Sequence, residues 1–120
     1  MIQIKRVYDA PTQEDGYRIL VDRLWPRGIT RQQAAIDLWL KDIAPSPGLR
    51  IWFDHQAERY DKFSLEYIKE LSKNPAAELL KDILIEHPRA TLLYAAKDPT
   101  INHAAILKVF LETEHSRPDG

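Results

Sequence analysis

Three polar clusters in this 120-residue chain have the residue types for chemistry. The first is Asp22, Arg23, Trp25 and Arg27. Arginine presents a planar fork of donors suited to phosphate or carboxylate, and it stacks on aromatic faces. In a functional reading this cluster holds an anion or a nucleotide. In a structural reading Asp22 pairs with a nearby arginine and Trp25-Pro26 plugs the end of a core. The second cluster is Lys41, Asp42, Ser46 and Arg50. Ser46 is better suited to capping a helix than to nucleophilic attack, since no histidine lies beside it in sequence. Arg50 either completes an anion site or is a solvated charge. The third is Tyr94, Lys97, Asp98, Asn102 and His103. A histidine near a helix start can act as acid or base near neutral pH. Asp98 could orient it, or could serve only as a helix cap.

These clusters need elements to position them. Thr91 to Ala96 is a short apolar run with almost no alternation, bracketed by Pro88 and Pro99. A strand covered on both faces, as in a parallel sheet, reads this way. Asp98-Pro99 then looks like a helix start: a side-chain acceptor followed by a residue with preset φ and no N–H. The free N–H groups of such a start can hold an anion.

Ile2 to Tyr8 and Tyr17 to Asp22 read as two further strands, and Pro26 prevents the second from continuing. Thr30 with Gln33 has the form of a capping box, so a short helix is expected there. Asp37 to Leu40 reads as a strand. Ser46-Pro47 opens a helix carrying Leu49, Trp52 and Phe53, which Asp54-His55 ends. Glu58 to Lys73 is helical, with Tyr60, Phe63, Tyr67, Ile68 and Leu71 at three- and four-residue steps. Asn74-Pro75 breaks it, and Ala76 to Glu86 follows as another helix. His87 and His115 fall at helix ends, where positive charge suits the dipole. The chain frays from about residue 114. Strands alternating with helices predict a single α/β domain over residues 1–120, with a small, mostly parallel four-stranded sheet and helices on both faces. Turns after parallel strands then converge on the carboxyl edge of the sheet, where open α/β folds bind ligands.

Composition excludes several classes. There is no cysteine, so thiol nucleophiles, disulfides and thiolate metal sites are absent. The four glycines, at 16, 28, 48 and 120, build neither a dinucleotide fingerprint nor a phosphate-binding loop. No histidine-rich spacing or tight carboxylate cluster predicts a metal, and no cofactor is expected. The net charge of −1 disfavours broad nucleic-acid binding. Arg18, Arg23, Arg27 and Arg31 with Trp25 nevertheless leave a local basic, aromatic patch as the alternative to a small-molecule site. No apolar run approaches the ~20 residues of a membrane span, and Met1-Ile2-Gln3-Ile4-Lys5 does not resemble a signal peptide. A cytoplasmic location is expected, with no membrane partner.

Several segments carry a resemblance. They are Lys5-Arg6-Val7-Tyr8-Asp9, then Val21-Asp22-Arg23-Leu24-Trp25-Pro26-Arg27-Gly28, then Trp39-Leu40-Lys41-Asp42-Ile43-Ala44-Pro45-Ser46. Leu49-Arg50, Trp52-Phe53 and His55 continue it, and Leu92 to Asp98 with Asn102-His103-Ala104 completes it. Together they resemble the DUF488 family of uncharacterised bacterial proteins, in its short YeaO-like form. The resemblance implies an α/β domain and brings no established reaction. Longer relatives carry cysteines around the segment matching Leu93 to His103; this chain has Tyr94 and Asn102 there, so thiol chemistry does not carry over.

The functional expectation is a site for a phosphate- or carboxylate-bearing small molecule at the carboxyl edge. Arg23, Arg27 and Arg50 would hold the anion, with Trp25, Ser46, Lys97 and Asn102 lining the site. His103, Asp98 and Asp22 would supply acid–base chemistry if hydrolysis or transfer occurs.

Overall fold

The computed structural model describes residues 2–115, with Glu114 and His115 described by their backbone only. The tail expected beyond about residue 114 otherwise lies outside the described residues. Four strands form one sheet: β1 (Ile2–Arg6), β2 (Tyr17–Leu20), β3 (Leu38–Trp39) and β4 (Ala90–Tyr94). Their order is β1-β4-β2-β3, and every pairing is parallel. β4 is therefore flanked on both sides, with Leu92 opposite Ile4 and Ile19. All five of its residues are buried. That accounts for the unbroken apolar run: each successive side chain meets a different covered face.

The faces are covered unequally. Tyr17, Ile19, Val21, Ala90, Leu92 and Tyr94 join the larger core, which includes residues of α2 (Pro47–Phe53), α3 (Tyr60–Lys73), α4 (Pro75–Glu86) and α5 (His103–His115). On the other face Val7, Leu20 and Leu93 meet Ala34 of α1 (Arg31–Ala34), with Trp25, Ile29, Ile36 and Trp39 packed around them. One face is thus helical throughout, and the other is roofed mainly by one short helix and the loop after β2.

Local signals set most element ends. Thr30 and Gln33 make the reciprocal capping box, at 3.0 and 3.1 Å. Ser46 Oγ accepts from Leu49 N, and Pro47 opens α2. Asn74 caps α4 through Ala76 N.

The expected helix start at Asp98-Pro99 is wrong. The Asp98 carboxylate accepts from Thr100 N, Ile101 N and the Thr100 hydroxyl, forming a local turn. Aspartate bonded two residues ahead offers the backbone an alternative to helix. The helix begins at His103, and Asn102 is its cap, accepting from Ala105 N at 2.9 Å.

The basic patch is also corrected. Arg18 is 4% exposed, on the α1 face of β2. It pairs with Asp15 and donates to the carbonyls of Ala34 and Ala35. It ties α1 to the sheet and cannot contribute to a surface. Lys5 reaches the same carboxylate at 3.1 Å. Burial pushes the Asp15 carboxyl up, but the Thr12 N–H, Lys5, the Thr12 hydroxyl and Arg18 outweigh it and hold it at about 2.

Candidate functional site

The sheet's connections choose the place. After β2 the chain turns to the face carrying α1; after β4 it turns to the face carrying α5. β2 and β4 are neighbours, so their carboxyl ends form a topological switch point, where open α/β sheets leave a crevice. The last ladder bond there runs from Val21 N to Leu93 O, at 3.0 Å.

Asp22 bridges these two strand ends. Its Oδ2 accepts from Ala95 N at 3.0 Å, and its carbonyl accepts the Trp39 indole N–H at 2.7 Å. His103, the first residue of α5, puts Nε2 3.0 Å from Val21 O. A carbonyl only accepts, so this nitrogen carries the proton. The same nitrogen lies 3.4 Å from Asp22 Oδ1. The Tyr67 ring meets the imidazole edge-on at 6.1 Å. Burial raises the Asp22 carboxyl above its ordinary value, against the opposing pull of His103, the Ala95 N–H and Arg50.

Arg23 leaves the same strand end toward α2. Its Nη2 donates to Ala44 O at 3.2 Å and Pro45 O at 3.4 Å, and its Nη1 is 4.0 Å from Asp42. Two buried atoms here have no hydrogen-bond partner: Asp22 Oδ1 and Arg23 Nε. Such atoms are uncommon in folded proteins and mark strain or function.

The other sequence-derived candidates fall in three places. Arg50 is exposed on α2, close enough to Asp22 to act on its carboxyl. Ser46 caps α2, and its hydroxyl also lies 2.6 Å from Glu70 Oε2, while its N–H reaches Glu70 Oε1 at 2.9 Å. Asn102 is buried with both side-chain ends engaged, on Asp98 O and Ala105 N. Lys97 and Asp98 are exposed on the turn before it. Trp25 is folded onto the second core; it donates to Ile29 O, lies edge-on to Trp39 and carries the Arg31 guanidinium over its ring. Arg27 is exposed, and its carbonyl takes the hydroxyl of Tyr8, just after the end of β1. The carboxylate beside His103 is therefore that of Asp22, and the arginines grouped with it are Arg23 and Arg50.

Two participants were read in the sequence only as parts of a helix. Tyr67 is fully buried, and its hydroxyl donates to Ile43 O at 2.7 Å; burial first, and then the Glu70 and Asp22 charges, push that hydroxyl well above its usual range. Glu70 holds Ser46 as described. The only signal was that they sit three residues apart, on one side of an amphipathic helix.

Two surface cavities lie elsewhere. One of about 330 Å³ is lined by residues that include Tyr8, Asp9, Gly28 and Gln33; the other, about 490 Å³, by residues that include Leu40, Asn74 and Leu79. Neither is lined by Asp22, Arg23, Arg50 or His103. The rim is favoured over these cavities because it is where charged groups and unpartnered buried atoms coincide. No group of histidines and carboxylates suited to a metal occurs among the described residues, and no helix there is long and apolar enough to cross a membrane.

Asp22 permits a stability test. With its folded value raised, the carboxyl holds its proton more tightly folded than unfolded. The fold therefore loses stability as pH rises from about 4 through the raised value. Asp22→Asn keeps an acceptor for Ala95 N and removes the buried charge. Its melting temperature at pH 7 is expected to match or exceed that of the parent. Asp22→Ala strands that N–H and is expected to lose about 1–3 kcal/mol in denaturant titration.

The model of the inactive DUF488-N3 subclade, DUF488-N3i, matches residues 1–120. The chain belongs to the DUF488 family. The uncharacterized protein YeaO of Escherichia coli (strain K12) is 48% identical to it over 113 residues, 93% of this chain and 97% of YeaO. The uncharacterized protein Rv3073c of Mycobacterium tuberculosis is 40% identical over 111 residues, 92% of each chain. No solved structure matches. The DUF488 relatives thus share the length of the domain, and their names assign no activity.

Proposed function

We propose that this DUF488 domain binds a small molecule through a carboxylate or phosphate group at the β4–β2 rim. The observation that carries this reading is the meeting of Asp22 and His103 at a topological switch point, with Arg23 next in the chain and the exposed Arg50 acting on the Asp22 carboxyl from α2. In this reading Arg23 meets the anion, Arg50 adds charge from α2, and His103 and Asp22 form the wall. Binding without turnover is favoured over hydrolysis or transfer. His103 Nε2 and Asp22 Oδ2 are already engaged with backbone groups, and the matching family model is described as inactive. A basic, aromatic patch for nucleic acid has less support, because Arg18 is buried and Trp25 is packed into a core.

Calorimetric or NMR titration with phosphate and simple carboxylates tests the reading. Saturable binding is expected, weakened about tenfold or more in Arg23→Gln and in Arg50→Gln, as loss of a charge-assisted contact requires. Equal affinity in the parent and both variants, or no binding at all, would reject it.

A further inference from the structure

We infer that two copies of this chain join edge to edge through β1, in antiparallel register, about a two-fold axis at Ile4. The inference is independent of the rim site. The sheet order leaves two edges, β1 and β3. An open edge offers unpaired N–H and C=O groups to another strand, and folded proteins blunt it with shortness, proline, bulges or free charges. β3 is blunted by its length, two residues. β1 has five residues, no proline and an unbroken register against β4. Its two cations are turned back onto their own chain. Lys5 Nζ is held by Ala10 O at 2.7 Å and by Asp15 at 3.1 Å, and Arg6 donates to Ala96 O and Ala95 O. Neither is left free to repel an incoming strand.

The ladder decides which groups are open. Val7 N donates to Tyr94 O, so Lys5 and Gln3, at two-residue steps, also turn their backbone groups toward β4. Ile2, Ile4 and Arg6 turn theirs outward. Arg6 O is taken by Asp9 N; the other outward groups have no partner among the described residues. Ile2 and Ile4 pack against the larger core yet stay partly exposed, whereas Leu92 and Ile19, in register with Ile4, are at 0%. An added strand would cover that side.

A second copy fits because the open groups complement themselves. With the axis at Ile4, each Ile4 exchanges both backbone bonds with the other, and each Arg6 N–H meets the Ile2 carbonyl of the other copy. Lys5 then stands opposite Gln3, and Arg6 opposite Ile2, so no like charges face each other. An axis at Arg6 would set two guanidinium groups opposite. The contact is narrow, so the association is weak.

Sedimentation and amide hydrogen exchange of the full chain, from micromolar to near-millimolar concentration, test this. The weight-average mass is expected to rise from monomer toward dimer. Over the same range exchange at Ile4 and Arg6 is expected to slow about threefold or more, while Gln3 and Lys5, already bonded to β4, change less. The chain has no cysteine, so Ile4→Cys puts a single thiol at the axis. Its Cα would lie ~5.5 Å from its mate, within disulfide reach. Under mild oxidation it is expected to cross-link about tenfold or more faster than Ile85→Cys, which puts the thiol at an exposed position on α4. A monomer at every concentration would overturn the inference. So would a dimer with unchanged Ile4 and Arg6 exchange, or equal cross-linking of the two variants, since either puts the contact elsewhere.

Discussion

Asp15→Ala is expected to destabilise the fold by about 3–5 kcal/mol, the usual range when one partner of a buried ion pair is removed. The Asp15 side chain is 3% exposed and that of Arg18 is 5% exposed, so water cannot replace the lost partner. The damage exceeds one bond. Asp15 also accepts from Lys5 Nζ, from Thr12 N and from the Thr12 hydroxyl, and its own carbonyl takes the Thr91 hydroxyl of β4. Arg18 would keep its bonds to Ala34 O and Ala35 O while holding an uncompensated buried charge. Denaturant titration at pH 7 measures the loss. A double change, Asp15→Ala with Arg18→Met, should recover part of it, because replacing both partners removes the stranded charge. The pH dependence has a definite sign. A carboxyl lowered to about 2 stabilises the fold above its unfolded value near 4, and that contribution fades as pH falls toward 2. It amounts to about 2 kcal/mol. The parent should therefore lose stability across that window, and Asp15→Ala should lose less there. Parallel acid profiles would refute the assignment.

Gly16→Ala is expected to cost about 3–5 kcal/mol by a different route. Gly16 has φ 64° and ψ −134°, a conformation that side-chain-bearing residues rarely adopt. A Cβ there would overlap the Arg89 carbonyl oxygen and come within 2.7 Å of its carbon. That oxygen is fixed, since it accepts from Tyr17 N at 2.9 Å. The conformational strain contributes about 1–3 kcal/mol, and shifting the β4 approach adds a similar amount. For a domain of this size the melting temperature should fall roughly 10–20 °C. Gly28→Ala is the control. Gly28 also has positive φ, at 75°, but a Cβ there meets nothing within 4 Å, so only about 1–2 kcal/mol is expected. Equal losses at both glycines would mean that φ alone matters and the Arg89 contact does not.

Both changes act at the entry to β2, and the candidate site lies at its exit. The Asp15–Arg18 pair and Gly16 hold β2 against β4 and α1. The rim depends on that pairing, because Asp22 meets Ala95 only if β2 and β4 keep their register. Asp15→Ala should thus weaken any rim ligand only through folding. The Arg23 and Arg50 variants should weaken it directly.

Much of the local structure was legible because its causes are local. The Thr30 capping box, the Ser46-Pro47 helix start, the Asn74-Pro75 break and the amphipathic spacing of α3 each depend on residues within one or two turns. Asp98-Pro99 misled because two local patterns compete there. An aspartate before proline fits a helix start, and it fits a side-chain turn equally well. Which one forms is decided outside the dipeptide: here Asn102, which also donates to Asp98 O, takes the cap of α5. Arg18 misled for a related reason: its charge predicted a surface, while a carboxylate three residues earlier and two α1 carbonyls satisfied it in the interior.

The sequence by itself determined the α/β class, the buried character of β4 and the exclusion of thiol and glycine-loop chemistry, since these follow from residue types and short spacings. Only the tertiary structure decided which polar residues meet. Asp22 and His103 are 81 residues apart, and they face each other because parallel pairing puts the end of β2 beside the end of β4. Tyr67 and Glu70 reach the same corner from a helix whose pattern said only that one side was apolar. Contacts of that kind depend on strand order and on the face each connection takes, and neither is encoded within a single turn of chain.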